Sequence, residues 1–296
     1  MLDLSREFLT TRDLAELLHI KERKVYDMAS AGEVPCSRVT GKLLFPRREI
    51  EAWLARHSSG GVTSASRPQP PAVVLGSQDP FLSWALGASG ADLATLTEGS
   101  LDGLARFAAG EGVATGLHIY APEADSWNVA AVKARFELEP VALVEFAWRE
   151  RGLIVAAGRE SEFETVAALR GLRVVPRQEA SGSQVLLRHM LGQAGLDPDR
   201  IDWVEAARTE SELGMAVLEG KADAGFGLRS IASRMRLGFV PLVRERFDLL
   251  VDRRAWFEPP LQQLFDFFRS DSFQTRAREL GGYDISALGT VHFNGA

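Results

Sequence analysis

The sequence has little of the chemistry on which many proteins of its size depend. Its 296 residues include one cysteine, Cys36, which excludes a disulfide within the chain and a cysteine-based metal site. The five histidines are scattered, and none has the spacing that places two metal ligands on one helix face. A nucleophile elbow, a P-loop and a closely spaced carboxylate pair are also absent. The sequence therefore predicts no metal, no cofactor and no enzymatic activity.

Long apolar runs are absent as well. No stretch approaches the roughly 20 residues that a membrane helix needs, and the N-terminus lacks the features of a signal peptide. We therefore expect a cytoplasmic protein without a membrane partner. The net charge of −6 is unevenly distributed: residues 1–67 hold 11 basic and 9 acidic residues, and the remainder holds 23 and 31. A mildly basic first segment and an acidic body suit a protein that contacts phosphate groups at one end only.

Two short helices joined by a tight turn are predicted near the start of the chain. Thr10 precedes an apolar-periodic run with acidic residues in its first turns, as at the start of a capped helix. After a break at residues 19–20, a second amphipathic helix is expected, with these side chains turned inward: Ile20, Val25, Met28 and Ala29. This is the helix-turn-helix pattern, in which the second helix enters the DNA major groove.

A small wing and a third helix are predicted next. Residues 34–39, 40–42 and 43–45 are typical of a strand, a turn and a strand. Pro46 is expected in the first turn of the third helix, where its missing N–H costs nothing. The position of Cys36 in the wing favours a small packing residue over a reactive thiol.

From Thr10 to Leu54, this order of elements resembles the excisionase-like and MerR-like winged helix family. The resemblance implies a DNA-binding domain over residues 1–57 and double-stranded DNA as a partner. The side chains expected on the recognition helix are Lys21, Arg23, Lys24 and Tyr26. Those expected to contact phosphates are Arg38, Lys42, Arg47 and Arg48. The alternative is a charged three-helix bundle that contacts protein.

The composition changes after the third helix. Residues 58–71 are small and polar and end in a Pro-rich piece, which is the composition of a linker. From Ala72, short apolar strands alternate with helices, which predicts an α/β fold with a parallel sheet covered on both faces. Two of the predicted strands are residues 239–242 and 247–251. The number of units predicts two lobes.

Three strand-to-helix turns share one chemistry. They are Gly76-Ser77, Gly99-Ser100 and Ser181-Gly182-Ser183. In open α/β sheets ligands bind at the carboxyl ends of strands, where helix N-termini offer free N–H groups and serine adds a neutral hydroxyl donor. Several such turns facing one cleft would hold a small oxyanion, whereas the alternative is that these serines only cap helices.

Residues 72–290 resemble the type II periplasmic-binding-protein-like domain of cytoplasmic regulators, related to molybdate- and tungstate-binding proteins. The resemblance implies a two-lobed clamshell over residues 72–296, with lobe one at 72–148 and 246–296 and lobe two at 152–244. Where the family usually has Arg-Gln followed by Gly-Ser-Gly-Thr-Arg, this sequence keeps Arg177-Gln178 but has Ser183-Gln184 in place of Thr-Arg. The missing arginine leaves the identity and the charge of the ligand open.

The residues expected to bind this ligand lie in both lobes. They are Ser77, Ser100, His118, Arg177, Ser181, Gly182, Ser183 and Gly227. For His118, a satisfied structural histidine is the alternative. For Arg177, the alternative to contact with an anion is a salt bridge to Glu179 or Glu205.

A DNA-binding segment followed by a small-molecule clamshell predicts a one-component transcription regulator that senses a small oxyanion. Because one helix-turn-helix reads one half-site, a homodimer or homotetramer is expected. The alternatives are a cytoplasmic oxyanion scavenger whose first domain recruits protein, and a sensor of a small organic metabolite. The sequence leaves the ligand, the operator and the sign of regulation open.

Overall fold

The computed structural model describes residues 7–39, 41–57, 69–179 and 181–296. They fall into two compact units, Met1–Ser66 and Arg67–Ala296. Most of the predicted linker, residues 58–68, and Thr40 of the predicted wing turn lie outside the described residues. Within the described ranges, no helix is both long enough and apolar enough to cross a membrane.

The first unit consists of three helices and a small antiparallel sheet. Its elements are β1 (Phe8–Thr10), α1 (Thr11–Leu18), α2 (Glu22–Ser30), β2 (Ser37–Val39), β3 (Lys42–Pro46) and α3 (Arg47–His57). The strand order is β1-β3-β2, with both neighbours antiparallel to β3. The helix-turn-helix and the wing predicted from the sequence are therefore present.

Local signals explain where these helices begin and end. Thr10 caps α1: its hydroxyl accepts from the N–H of Asp13, and the Asp13 carboxylate accepts from the N–H of Thr10. His19 ends α1 in the left-handed conformation with φ of 52°. The prediction for Pro46 was wrong, because this residue ends β3, where it lies opposite Phe8, and α3 begins one residue later.

The first unit has its own apolar core. Val25 and Ala29 of α2 are buried in it together with Leu14 of α1 and Ile50 of α3. Cys36 is half-buried against the same cluster, as expected of a packing residue. The inward face of α2 therefore holds the helix in place and leaves its other face to solvent.

The second unit alternates strands and helices. Its strands are β4 (Val73–Gly76), β5 (Ala94–Leu96), β6 (Ala114–Leu117), β7 (Tyr120–Ala121), β8 (Ser126–Trp127), β9 (Val141–Val155), β10 (Arg173–Val175), β11 (Asp202–Trp203), β12 (Ala224–Leu228), β13 (Gly238–Asp252), β14 (Tyr283–Asp284) and β15 (Val291–Asn294). Its helices are α4 (Pro80–Ala88), α5 (Ser100–Ala108), α6 (Val129–Phe136), α7 (Gly182–Gln193), α8 (Glu210–Leu218), α9 (Arg229–Met235), α10 (Pro259–Phe267) and α11 (Asp271–Leu280).

The main sheet of the second unit is mixed. Its strand order is β11-β10-β12-β9-β13-β6-β4-β5, and β14 and β15 also pair with β9. Neighbouring strands are parallel within β10–β12 on one side and within β4–β6 on the other. At the centre, β9 is antiparallel to β12 and β13, and β13 is antiparallel to β6. The prediction of a parallel sheet was therefore wrong at its centre.

The two central strands are the longest elements of the chain. β9 and β13 each span 15 residues and pair along almost their whole length. The predicted strands at 239–242 and 247–251 are one strand, β13, whose register shifts between Pro241 and Val243 and again between Phe247 and Asp248. A proline and a charged segment interrupted the apolar pattern, which is why the sequence indicated two strands.

β9 and β13 connect two groups of elements, for which we keep the names lobe one and lobe two. Lobe one contains β4–β6, α4–α6, α10 and α11, and lobe two contains β10–β12 and α7–α9. Separate apolar clusters fill each group. Leu261, Leu264 and Phe268 from the α10 region pack with Phe81 of α4. The boundaries 72–148, 152–244 and 246–296 for the lobes remain a prediction.

Candidate functional site

Lobe one contributes two buried serine hydroxyls at the ends of its strands. Ser77 follows β4 and Ser100 begins α5, and their Oγ atoms lie 2.8 Å apart. The backbone N–H of His118, just after β6, donates to Ser100 Oγ at 3.0 Å. Three residues predicted for the site therefore come together, because β4 and β6 are parallel neighbours whose carboxyl ends share one edge.

Lobe two contributes the start of α7. Ser181 is the N-cap residue of this helix, and its hydroxyl accepts from the N–H of Gln184 at 3.1 Å. The capping role that the sequence left open is therefore present, although the hydroxyl hydrogen remains free to donate elsewhere. Ser183 Oγ lies 3.5 Å from Glu210 Oε1, and a Cβ placed on Gly227 would lie 3.3 Å from Glu210 Oε2. These predicted residues therefore surround one carboxylate.

The two lobes touch where the first residue of α7 meets lobe one. A Cβ on Gly182 would lie 2.7 Å from the carbonyl oxygen of His118 and 2.9 Å from its ring atom Cε1. Real side chains do not approach so closely, so the contact requires a residue without Cβ. The cleft is therefore closed at this point.

A chain of buried charges crosses the cleft between the lobes. Arg149 donates through Nη1 to Asp79 at 2.9 Å and through Nη2 to Glu245. Arg151 donates through Nε to the same Glu245 oxygen at 2.8 Å, and through Nη1 and Nη2 to Glu210 Oε1 at 3.0 Å each. All five side chains are buried. Because an unpaired buried charge costs several kcal/mol, these pairs depend on one another.

Glu245 and Glu210 are ionised at neutral pH. Burial raises the pKa of Glu245, but the charges of Arg149 and Arg151 outweigh burial and hold that pKa well below its ordinary value. Burial also raises the pKa of Glu210, and Arg151 and Arg177 bring it below its ordinary value. An ionised carboxylate accepts hydrogen bonds and donates none. Any further group that meets these oxygens must therefore bring a donor.

His118 is the neutral member of the network. Burial lowers its pKa more than the neighbouring Glu245 raises it. Its Nδ1 lies 3.1 Å from Glu245 Oε2. Because Glu245 can only accept, we assign the hydrogen of the neutral ring to Nδ1. His118 therefore links the serines of lobe one to the buried charges.

Arg177 brings a third guanidinium from lobe two. Its Nη1 lies 3.2 Å from Glu210 Oε1, and its side chain is 9% exposed. The salt bridge considered from the sequence therefore exists, but its partner is Glu210 and not Glu179 or Glu205; Glu179 pairs with Arg188. Sequence spacing pointed to near neighbours, whereas the partner comes from the start of α8.

The hydrogen-bonding capacity of Arg177 is only partly used. Its Nη2 donates to the carbonyl of Arg208 at 2.8 Å. Its Nε and Nη1 are buried, and neither makes a hydrogen bond to a residue that the structure describes; the contact of Nη1 with Glu210 is an ion pair that lacks the alignment of a hydrogen bond. Burial lowers the pKa of Arg177 more than Glu210 raises it. An additional negative charge at this position would therefore be stabilised.

None of the five charged members of the network was predicted as a site residue from the sequence: Asp79, Arg149, Arg151, Glu210 and Glu245. A signal was present, because β9 and β13 each contain Arg-Glu-Arg inside a mostly apolar strand, at 149–151 and 244–246. The strand register then places Glu245 opposite Arg149. Alternate charged residues in a strand that is apolar on both faces indicate a buried charged site.

The residues predicted to contact DNA lie in the first unit. Lys21 is the N-cap residue of α2, and Arg23, Lys24 and Tyr26 on that helix are exposed, Tyr26 by 50%. Val25, between Lys24 and Tyr26, is buried. The outer surface of α2 is therefore free of the core.

The predicted phosphate contacts lie on the wing and at the start of α3. Arg38 in β2 and Lys42 in β3 are exposed on the hairpin. Arg48 is also exposed, whereas Arg47 is half-buried and its Nη1 lies 3.6 Å from Glu51. An ion pair at this distance near the surface contributes little to stability, so it leaves Arg47 able to exchange partners.

Comparison with known proteins identifies the second unit. Residues 85–269, more than half of the chain, match the model of the PBP superfamily domain, and the chain belongs to this superfamily. Residues 8–58 match the model of a helix-turn-helix domain. The uncharacterized protein YvgK of Bacillus subtilis (strain 168) is 26% identical, over 95% of this chain and 96% of its own length.

Two solved structures share the fold of the second unit. One, from Clostridium perfringens, was assigned as the substrate-binding protein of a phosphate ABC transporter and contains bound phosphate. Its TM-score is 0.52 at 12% identity, and the match covers 74% of this chain and 98% of the other chain. The other is the tungstate ABC transporter from Geobacter sulfurreducens, with a TM-score of 0.50 at 12% identity, over 70% and 97% of the two chains. At this identity the similarity shows the fold alone.

Proposed function

We propose that this protein is a ligand-responsive DNA-binding regulator whose cleft binds a small oxyanion. The observation that carries the ligand part is Arg177, a nearly buried cation whose Nε and Nη1 have no hydrogen-bond acceptor among the described residues. A cation in this state favours an anion that supplies both charge and acceptor atoms. Ser181 caps the neighbouring helix α7, and its hydroxyl, which accepts from Gln184, can still donate its hydrogen to an anion.

The first unit supports the DNA part of the proposal. α2 presents Arg23, Lys24 and Tyr26 to solvent, and the wing presents Arg38 and Lys42. In winged helix-turn-helix domains the second helix reads bases and flanking cations contact phosphates. We assign base contacts to Arg23 or Lys24 and phosphate contacts to the wing and to the start of α3.

Coupling between the two activities requires that the ligand prefer one state of the cleft. In the closed state of the cleft, His118 contacts Gly182. A ligand that binds the closed and open states with different affinities would shift the equilibrium between these two states. Because one helix-turn-helix reads one half-site, we propose that the regulator acts as a homodimer or homotetramer. It would act in the compartment that holds the DNA, the cytoplasm.

Titration of fluorescent promoter fragments from the protein's own gene neighbourhood would test this function. We expect saturable, strongly salt-dependent binding to one fragment and a change in affinity of about fivefold or more when a cleft ligand is added. Phosphate, sulfate, molybdate and tungstate would be screened by thermal shift first. Absence of binding to every fragment would contradict the DNA assignment and favour a first unit that recruits protein. Absence of any response to these anions would favour an organic ligand.

A further inference from the structure

The two oxygens of the Glu210 carboxylate differ in how many donors surround them. Its Oε1 faces Arg151 Nη1 and Nη2 at 3.0 Å, Arg177 Nη1 at 3.2 Å and Ser183 Oγ at 3.5 Å. Its Oε2 is buried and has no hydrogen-bond donor among the described residues. Buried polar atoms are nearly always paired, so an orphaned carboxylate oxygen indicates a donor that binds there.

The unused groups of Arg177 lie on the other side of the same ion pair. Its Nε and Nη1 need acceptors, while Glu210 Oε2 needs a donor. Gly227 borders Oε2 without a side chain, since even a Cβ there would lie at 3.3 Å. One ligand that carries both a negative charge and a polar hydrogen would satisfy both groups together.

The other carboxylates of the network are already satisfied. Asp79 accepts from Leu82, Arg149 and Tyr283. Glu245 accepts from Arg149, Arg151 and His118. Among the three network carboxylates, the open acceptor position is therefore at Glu210, beside the open donors of Arg177.

We propose that Glu210 determines the ligand specificity of the cleft by selecting an anion that carries a hydrogen-bond donor. Hydrogen phosphate is such an oxyanion, whereas sulfate, molybdate and tungstate carry no proton at neutral pH. This inference rests on the proposed function and narrows its ligand class. A fully deprotonated oxyanion would bring its oxygens against an ionised carboxylate, and like charges in a buried site repel strongly.

The selection depends on whether the ligand gives the buried Oε2 of Glu210 a hydrogen-bond donor or leaves it unpaired. A site built to receive a donor rejects an analogue without it, because the acceptor loses its water and gains nothing. We therefore expect phosphate to bind the parent protein at least about hundredfold more tightly than sulfate. The size of the two anions is similar, so the difference reports on the proton.

Calorimetric titration of the full chain with inorganic phosphate and with sulfate at pH 7.5 tests the inference directly. The decisive variant is Glu210→Gln, because its amide nitrogen supplies a donor where the carboxylate oxygen needed one. We expect this variant to bind sulfate more tightly than the parent does, and the preference for phosphate to fall by at least about tenfold. Glu219→Gln is the matched control: it makes the same chemical change at the exposed C-terminal end of the same helix, where Glu219 pairs with Lys221, and the parent preference should persist.

Each outcome decides between the two proposals. Equal binding of sulfate and phosphate by the parent would overturn the role of Glu210 and leave the oxyanion regulator standing. An unchanged preference in a folded Glu210→Gln protein would also overturn it. If that variant does not fold, the ratio measured on the parent still decides. If neither anion binds, both the specificity inference and the oxyanion part of the function are wrong, while DNA binding is judged by its own titration.

Discussion

Gly182 at the start of α7 packs directly on the carbonyl and ring of His118. A Cβ on Gly182 would lie only 2.7 Å from the carbonyl oxygen, so there is no room for a side chain. Gly182→Ala should therefore hold the lobes apart at this contact. We expect a lower melting temperature and at least about tenfold weaker binding of whichever anion closes the cleft, because overpacking a tight contact costs about 1–3 kcal/mol.

Gly192 offers a matched control for this change. It lies in the same helix, and a Cβ there would meet nothing within 4 Å. Gly192→Ala should leave ligand binding unchanged and stabilise the protein slightly, since alanine is the better helix former. Equal effects of the two substitutions on anion binding, measured by calorimetry, would contradict a closing contact at Gly182.

On the DNA-binding surface, base contacts and phosphate contacts should respond differently to mutation. Replacing Arg23 or Lys24 by Ala should cost about 1–3 kcal/mol of operator binding and relax sequence specificity. Lys42→Ala should weaken binding to all sequences alike and reduce the slope of log K against log salt by about one. Anisotropy titrations at several salt concentrations measure both, with Lys133→Ala in the second unit as the control. Full operator affinity in an Arg23/Lys24 double Ala variant would remove the assignment.

Arg151 should be essential for the stability of the second unit. Arg151→Met removes the cation shared by Glu210 and Glu245, both buried. Leaving buried carboxylates without their partner should cost about 3–5 kcal/mol of unfolding free energy. Arg269→Ala breaks an exposed pair with Asp266 in the same unit and should cost no more than about 1 kcal/mol. Denaturant unfolding of both variants measures the difference, and similar losses would show that burial of the network contributes nothing.

Two of the predicted ligand serines can now be separated by their structural roles. Ser181 caps α7, so Ser181→Ala should lose about 1 kcal/mol of stability whatever its role in binding. Ser77 caps no helix, because Asp79 is the N-cap residue of α4. Ser77→Ala should weaken anion binding by roughly ten- to hundredfold, and loss of its buried hydrogen bond with Ser100 should cost about 1 kcal/mol of stability. Full-strength anion binding by the Ser77 variant in calorimetry would exclude it from the site.

The buried neutral His118 predicts a loss of stability in weak acid. Its pKa is lowered in the folded protein by burial, so below about pH 6.5 the unfolded chain takes up a proton here that the native state does not. Unfolding is therefore favoured as the pH falls from about 6.5 towards the lowered pKa. Scanning calorimetry between pH 7.5 and 5.5 should show a shallower decline in His118→Gln than in the parent. His19→Asn, at an exposed position, should leave the decline unchanged, and an identical decline in all three proteins would show that His118 is not its source.

Much of the first unit was predictable from local signals. Thr10 and Asp13 form the capping box where the sequence placed a helix start, and the spacing of Val25 and Ala29 identified the buried face of α2. Each of these features is decided by residues within a few positions of one another. The same holds for the serine turns: Ser77 and Ser100 each follow an apolar strand, and parallel pairing then brought them to 2.8 Å.

The charged part of the cleft was decided by tertiary structure. Arg149 and Glu245 lie far apart in the chain and become neighbours only through the register of β9 with β13. The sequence determined that these strands contain charges, but not that the charges are buried, because burial depends on α8, α9 and β14, which pack against β9. The salt-bridge partners considered for Arg177 were Glu179 and Glu205, whereas the fold brings Glu210 from the start of α8. Local chemistry therefore specified the helices and their caps, and long-range pairing specified which charges meet and which atoms remain open for a ligand.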